Sequence, residues 1–111
     1  MNTEKLHNRK LNSNLSKALF LKQFAVKYGL TLAPGQRISY LYEKNTFDVQ
    51  GYVLLSFFTF SSGQNYVSID VAFVDNNVYF TVINNHQSSS LTFDVCCLIV
   101  YGKKGIVNIA N

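Results

Sequence analysis

The 111-residue chain has no tryptophan, one proline, one methionine, two cysteines and two histidines. The histidines, His7 and His86, have no partners at the spacing of a metal site. The cysteines, Cys96 and Cys97, are adjacent, and neighbouring residues of a strand point to opposite faces. A disulfide between them would therefore need a distorted backbone. We expect no metal and no cofactor, and two small buried thiols in a reduced protein.

Recurring catalytic motifs are also missing from the sequence. It contains no Gly-rich phosphate loop, no nucleophile elbow and no Cys–His pairing. Asp70 and Asp94 could approach each other across a sheet, but a carboxylate pair for glycoside hydrolysis also needs a suitable separation and one raised pKa. Solvated surface acids, one of them a partner for Arg37, are the simpler interpretation. We predict that the protein is not an enzyme.

Long hydrophobic runs are absent too. The apolar run nearest the N-terminus, residues 18–21, is too short for the core of a signal peptide. No segment approaches the roughly 20 apolar residues that span a membrane. We therefore expect synthesis in a cytoplasm without export, and no membrane insertion.

Only 14% of the residues are charged, and the net charge of +4 is unevenly placed. Residues 1–28 hold six lysine and arginine residues against one glutamate, a net +5, whereas residues 29–111 hold four against five acids, a net −1. Six spread cations without a recognition motif argue against nucleic acid as the partner. We assign residues 1–22 to a basic N-terminal arm, flexible or a short helix, and residues 23–111 to one β-domain.

The chain is rich in residues that favour β-strands, including nine Phe and seven Tyr. Apolar side chains alternate with others along residues 67–73, 78–82 and 91–101, which is typical of strands with one face in a core. Their order suggests a β-meander over residues 66–103. We predict an all-β, antiparallel β-sandwich, meander- or jelly-roll-like, with about six to seven strands and a short N-terminal arm or helix.

If the chain reverses its direction at each turn between antiparallel strands, the loops fall at two opposite ends of this domain. The turns at 33–36, 61–65 and 84–90 fall at one end, and both chain ends fall at the other. Amides, hydroxyls and aromatic faces in these polar loops are the groups from which sugar-binding sites are built. Soluble turns remain the simpler interpretation. The candidate ligand-binding residues are Gln64, Asn65, Tyr66, His86, Gln87 and Ser88.

Two strands carry apolar residues on both faces. The alternation fails in residues 52–60, and the second face of residues 91–101 changes from polar to apolar along the strand. In so small a domain, a second copy of the chain is the economical cover for such a face. We predict a homo-oligomer whose interface includes Val53, Leu55, Phe57, Cys96, Leu98 and Val100.

The segments LTLAPGQRISY, GYVLLSF, VSIDVAFVDNNVYFTVIN and SSSLTFDVCCLIVYGK together resemble the C-terminal head domains of bacteriophage tail-fibre and receptor-binding proteins. The resemblance covers about residues 29–103 and rests on the strand pattern. It implies a trimer of antiparallel sandwiches, located in the virion, that binds a host-surface glycan or protein. The shared end of the two termini fits a fibre shaft that enters opposite the binding loops.

One feature departs from that pattern, because only 28 residues precede the domain where such heads follow a long shaft. Three alternatives stay open: an excised head, a short fibre or capsid decoration (head-fibre) subunit, or a small phage-encoded intracellular binding protein or inhibitor. The last would act through the basic arm on nucleic acid or an acidic protein surface.

Overall fold

A computed structural model describes residues 18–62 and 65–106. They form six strands: β1 (Leu19–Leu32), β2 (Arg37–Glu43), β3 (Tyr52–Ser61), β4 (Val67–Val74), β5 (Asn77–Asn84) and β6 (Leu91–Lys103), with a 3₁₀ turn at Lys44–Phe47. The strands pair antiparallel in two three-stranded sheets, β1-β6-β3 and β2-β5-β4. The sheets pack face to face around one apolar core, so the predicted all-β sandwich is confirmed.

The start of the domain differs from the prediction. Strand β1 begins at Leu19, four residues before the predicted boundary at 23, and pairs with β6 from Leu19 onwards. Residues 1–17 of the predicted arm lie outside the described residues. Within the described part of the chain, no helix is long and apolar enough to cross a membrane.

The two central strands supply most of the core, as their alternation predicts. Val78, Phe80 and Val82 of β5 are fully buried, and so are Val95 and Cys97 of β6. Hydrogen bonds join the two sheets along both of their edges. Between β2 and β1, the Tyr42 hydroxyl donates to the Val26 carbonyl at 3.2 Å, and between β3 and β4, the Thr59 hydroxyl donates to the Ile69 carbonyl at 3.2 Å.

The predicted meander over residues 66–103 is wrong for its third strand. Strands β4 and β5 form a hairpin through Asp75 and Asn76, but β6 crosses to the other sheet and lies between β1 and β3. The six residues 85–90 that join β5 to β6 are long enough to bridge sheets that pack about 10 Å apart.

A bulge in β3 changes which residues face the core. The pairing of β3 with β6 shifts between Leu54 and Ser56, which leaves Leu55 as the extra residue. Alternation resumes after the bulge with the opposite parity, so Phe57 points into the sandwich, where its ring lies 5.8 Å from that of Phe80. Phe58 points outwards and is 58% exposed. The predicted grouping of Phe57 with Val53 on one face is therefore corrected.

The connection between β2 and β3 closes one end of the core. Phe47, at the end of the 3₁₀ turn, is only 3% exposed. Its ring meets those of Phe24, Phe57 and Phe80 at centroid distances of 5.1, 5.2 and 6.2 Å. The hydroxyl of the buried Tyr101 donates to the Phe47 carbonyl at 2.5 Å, which holds the turn against the central strand β6.

The loops divide between two ends of the sandwich, as predicted. We name the end with the connections 33–36, 62–66 and 85–90 the loop pole. There, Gly35 N–H donates to the Asn84 carbonyl and Asn85 N–H to the Tyr66 carbonyl. We name the opposite end the terminal pole, since the start of β1 pairs there with the end of β6.

Candidate functional site

The outer surface of the β1-β6-β3 sheet is apolar over the half nearer the terminal pole. Three rows of paired residues cross the strands there, Leu21–Val100–Ser56, Gln23–Leu98–Phe58 and Ala25–Cys96–Phe60, and Leu19 and Val53 flank Gly102 beyond them. We name this surface the apolar face. Leu21, Phe58 and Phe60 are 57%, 58% and 44% exposed. No charged side chain lies in these rows.

The same outer surface becomes polar towards the loop pole. The hydroxyls of Thr31 and Thr92 lie 2.8 Å apart, and Asp94 Oδ1 accepts a hydrogen bond from the Gly29 N–H at 2.8 Å. Asp94 N–H also donates to the Ser62 hydroxyl. The carboxylate and hydroxyls mark where the apolar face ends, so the polar-to-apolar change predicted for β6 is confirmed.

Five of the six predicted interface residues lie on this outer surface or at its bulge. Val53, Leu98 and Val100 are half-buried, Cys96 is 6% exposed, and Leu55 is the bulged residue at 36% exposure. Phe57 belongs to the core instead. Sequence reasoning missed Phe58, Phe60 and Leu21, the first two because the bulge reverses the parity of β3.

The opposite outer surface, that of the β2-β5-β4 sheet, has a different character. Its rows towards the loop pole are Arg37–Ile83–Ser68 and Ser39–Thr81–Asp70, and the Ser39 and Thr81 hydroxyls hydrogen-bond at 2.9 Å. Nearer the terminal pole lie the uncharged row Leu41–Tyr79–Ala72 and then Glu43–Asn77–Val74, and Leu41 and Val74 are 55% and 49% exposed. This surface therefore mixes exposed apolar residues with charged ones. Asp70 and Asp94 thus lie on opposite outer surfaces. The possibility that they approach each other across a sheet is excluded.

The predicted ligand residues fall at the loop pole, and four of them meet. Tyr66, His86, Gln87 and Ser88 line a cleft of about 330 Å³ together with Asn85. The rings of Tyr66 and His86 have centroids 4.6 Å apart with 69° between their planes. Asn65 is exposed and does not line the cleft, and Gln64 lies outside the described residues. Asn85 is an addition that sequence reasoning missed.

One fully buried polar residue, Asn84, shapes this pole. Its side-chain amide donates to the carbonyls of Leu32 and Ser89, both at 3.0 Å, and its Oδ1 accepts from the His86 N–H at 2.8 Å. Its backbone N–H donates to the Gln36 carbonyl. Asn84 therefore connects the 33–36 and 85–90 loops. The sequence contains a signal for Asn84: it occupies the next alternate position after Val78, Phe80 and Val82, so a polar residue is expected on the core-facing side of β5.

The imidazole of His86 fixes the next turn of the same loop. Its Nδ1 accepts hydrogen bonds from the N–H groups of Ser88 and Ser89, at 3.1 and 3.0 Å. A nitrogen that accepts carries no proton, so this network assigns the hydrogen of the neutral ring to Nε2. His86 thus offers a donor at the cleft while its other nitrogen holds the loop.

A second cleft, of about 520 Å³, lies at the terminal pole. It is lined by Leu54 and by polar residues that include Glu43, Lys44, Asp48 and Asn76. The Lys44 ammonium sits 5.6 Å from the centre of the Phe73 ring. This second cleft carries charges of both signs, and none of the predicted ligand residues lines it.

The two cysteines occupy opposite faces of β6 and are not bonded to each other. Cys97 is fully buried in the core, and burial, with a smaller effect of the Cys96 thiol, raises its pKa to about 11. Burial also raises the pKa of Cys96, with a further contribution from Asp94. Both are unbonded and buried, as the sequence predicted. Within the described residues, no three His, Cys, Asp or Glu side chains are grouped so that they could hold a metal ion.

Comparison with protein-family models, with curated proteins and with solved structures found no match to this chain.

Proposed function

We propose that the protein is a non-enzymatic, homo-oligomeric adhesion module of a bacteriophage particle, such as a tail-fibre or receptor-binding head. Copies associate through the apolar face, and the loop pole recognises a glycan on the host surface. The trimer and the virion come from the resemblance to phage fibre heads. The observation that supports association through this face is that its three rows hold no charged side chain, whereas Arg37, Glu43 and Asp70 lie in the rows of the opposite outer surface.

The apolar face places large side chains in water in an isolated chain. Leu21, Phe58 and Phe60 are each at least two-fifths exposed on one sheet surface. A contiguous exposed apolar patch with a polar border is typical of protein interaction sites. The Thr31–Thr92 pair and Asp94 form such a border towards the loop pole.

The absence of charge on the apolar face allows a second copy of this chain to be the partner. Like copies each carry a net +4 and repel one another in solution. The rows of the apolar face hold no charged side chain, so copies can meet there without placing like charges in contact. Full burial of an exposed Leu or Phe side chain contributes about 1.5–3 kcal/mol, and this gain opposes the loss of translational and rotational freedom on association.

The test is the mass of the full chain in solution, by size-exclusion chromatography with light scattering. The wild type is expected to be oligomeric and Leu98→Lys monomeric, because Leu98 is the central residue of the middle row. Thr81→Lys is the matched control, since Thr81 is the central residue of the polar row Ser39–Thr81–Asp70 on the opposite outer surface. Circular dichroism establishes that both variants fold.

Two results would overturn the association. One is a wild-type chain that stays monomeric at every concentration tested. The other is an oligomer that Leu98→Lys leaves intact while Thr81→Lys disrupts it. If removal of residues 1–16 makes a monomeric chain associate, the chain's own N-terminal segment covers the apolar face.

A further inference from the structure

We infer that the loop-pole cleft takes an uncharged sugar residue, stacked against Tyr66, and discriminates against sialylated or phosphorylated glycans. The inference rests on the proposed function for the presence of a glycan. It adds the chemical class of the sugar, argued from how the polar groups of the cleft are already used.

The aromatic part of the cleft is open to a ligand. Tyr66 is 53% exposed although its ring meets that of His86. An aromatic ring of this kind gives the apolar C–H face of a sugar a surface to pack on, while its hydroxyl stays available. A cleft of about 330 Å³ is at the small end of the range for small-molecule sites, about 300–1,000 Å³. This size favours a sugar residue over a folded protein segment.

The free polar groups of the cleft match the hydroxyls of a neutral sugar. Among the described residues, none hydrogen-bonds to the Tyr66 hydroxyl, to His86 Nε2, to the Gln87 amide or to the Ser88 hydroxyl. Tyrosine and serine hydroxyls and a glutamine amide both donate and accept, and Nε2–H donates. Sugar hydroxyls also donate and accept, so this mixture can satisfy them in several orientations.

Four of the six backbone N–H groups of the 85–90 loop are already donated within the chain, which leaves few for an anion. Loops of successive free N–H groups bind phosphate and carboxylate ligands. Here the N–H of Asn85 is donated to the Tyr66 carbonyl and that of His86 to Asn84 Oδ1. Those of Ser88 and Ser89 are donated to His86 Nδ1. The chain's own imidazole therefore takes two successive N–H groups that an anion would otherwise use.

Cations that could replace these N–H groups are not at the cleft. None of its described lining residues carries a formal charge with His86 neutral. Arg37, on β2, is separated from Ser68 of β4 by the central strand β5. A carboxylate or phosphate would therefore lose its hydration without gaining a charged partner, which is costly.

The site is also held in shape before any ligand arrives. Asn84 and Asn85 connect the 33–36, 62–66 and 85–90 loops through backbone and side-chain hydrogen bonds. A loop ordered in advance loses less conformational entropy on binding, so a small cleft can still bind selectively.

The experiment is a binding screen of the full wild-type chain against neutral oligosaccharides and their sialylated and phosphorylated counterparts, followed by saturation-transfer NMR. We expect neutral sugars to bind and their charged counterparts to bind at least about tenfold more weakly. Tyr66→Ala should weaken binding by about tenfold or more, a change of about 1.4 kcal/mol. Tyr66→Phe removes only the hydroxyl and should weaken it less. Tyr28→Ala is the matched control, because Tyr28 is an exposed tyrosine on β1 and does not line the cleft.

Each outcome separates this inference from the proposed function. Stronger binding of charged glycans that depends on Tyr66 would overturn the neutral class and leave the glycan function standing. Binding that neither Tyr66 variant changes would overturn the site. An oligomeric chain that binds no sugar but binds a protein receptor would overturn the glycan part of the proposed function and leave the association intact.

Discussion

Removal of the Asn84 side chain should loosen the loop pole and destabilise the whole domain. The Asn84→Ala substitution deletes three hydrogen bonds, to the Leu32 carbonyl, the Ser89 carbonyl and the His86 N–H. Asn84 is fully buried and Leu32 is 1% exposed, so the Leu32 carbonyl loses a hydrogen bond at a site where water cannot replace the donor. The other two groups are part-buried and can recover a bond to water.

The magnitude follows from these different environments. An orphaned buried group costs about 1–3 kcal/mol, and each of the two replaceable bonds contributes about 0.5–1.5 kcal/mol. We expect a loss of about 2–6 kcal/mol in the free energy of unfolding, a large share of the roughly 5–15 kcal/mol typical of a domain. In a chain of this length, that corresponds to a fall in Tm of roughly 10 °C or more.

The near-isosteric Asn84→Asp substitution separates hydrogen bonding from packing. A carboxylate would face two carbonyl oxygens, whereas a carboxylic acid could still donate to one of them. Protonation is favoured in the folded state, so the folded pKa of this aspartate would lie above its unfolded value. The variant should therefore be most stable at low pH and lose stability as pH rises through the folded pKa.

Urea unfolding at several pH values, with hydrogen exchange at Ser88 and Ser89, measures both effects. The expected pattern is a lower midpoint for both variants, an added pH dependence for Asn84→Asp alone, and faster exchange of the two serine amides. The reasoning would be refuted if both variants unfolded within about 0.5 kcal/mol of the wild type at neutral pH, since surface changes away from structural features fall in that range.

Two further predictions concern β3 and β6. In the Leu98→Lys background, where association does not contribute, Phe57→Ala should cost about 3–5 kcal/mol in urea unfolding and Phe58→Ala less than about 1 kcal/mol; equal costs would contradict the bulge. Because burial raises the pKa of Cys97 from 9.0 to about 11, the folded thiol keeps its proton after the unfolded one has lost it. Stability should thus be unaffected below about pH 9 and fall by about 2 kcal/mol through pH 11; an equally steep fall in Cys97→Ala would contradict this assignment.

Strand positions and loop placement could be predicted because they depend on local patterns. Every second residue of 78–82 and of 91–101 is apolar, and a strand with one face in the core is the local structure that fits such a pattern. The hairpin at Asp75 needed a residue that tolerates a positive φ, here 55°, and aspartate and asparagine are among the few that do. Counting reversals then placed Tyr66 and His86 at the same pole.

The sheet to which β6 belongs, and the bulge at Leu55, could not be predicted, because both depend on contacts distant in sequence. The six residues 85–90 permit either a return beside β5 or a crossing to the other sheet. In β3, apolar residues occupy both even and odd positions, so alternation does not show which of them face the core. The choice is made by the core, where Phe57 contacts Phe47 and the inward Thr59 donates to the Ile69 carbonyl. Phe57 was therefore assigned to the wrong face.

The polar border between the two surfaces has a consequence for how they would act together. Asp94 accepts from the Gly29 N–H and donates its own N–H to Ser62, so it connects β1, β6 and the loop after β3 between the apolar face and the loop pole. Copies that meet through the apolar face would bury the half of the sheet nearer the terminal pole and leave the loops uncovered. If the copies are related by rotation about an axis along the strands, all clefts face one direction. Several weak sugar sites on one side of an assembly can then bind a glycan-covered surface far more tightly than one site alone.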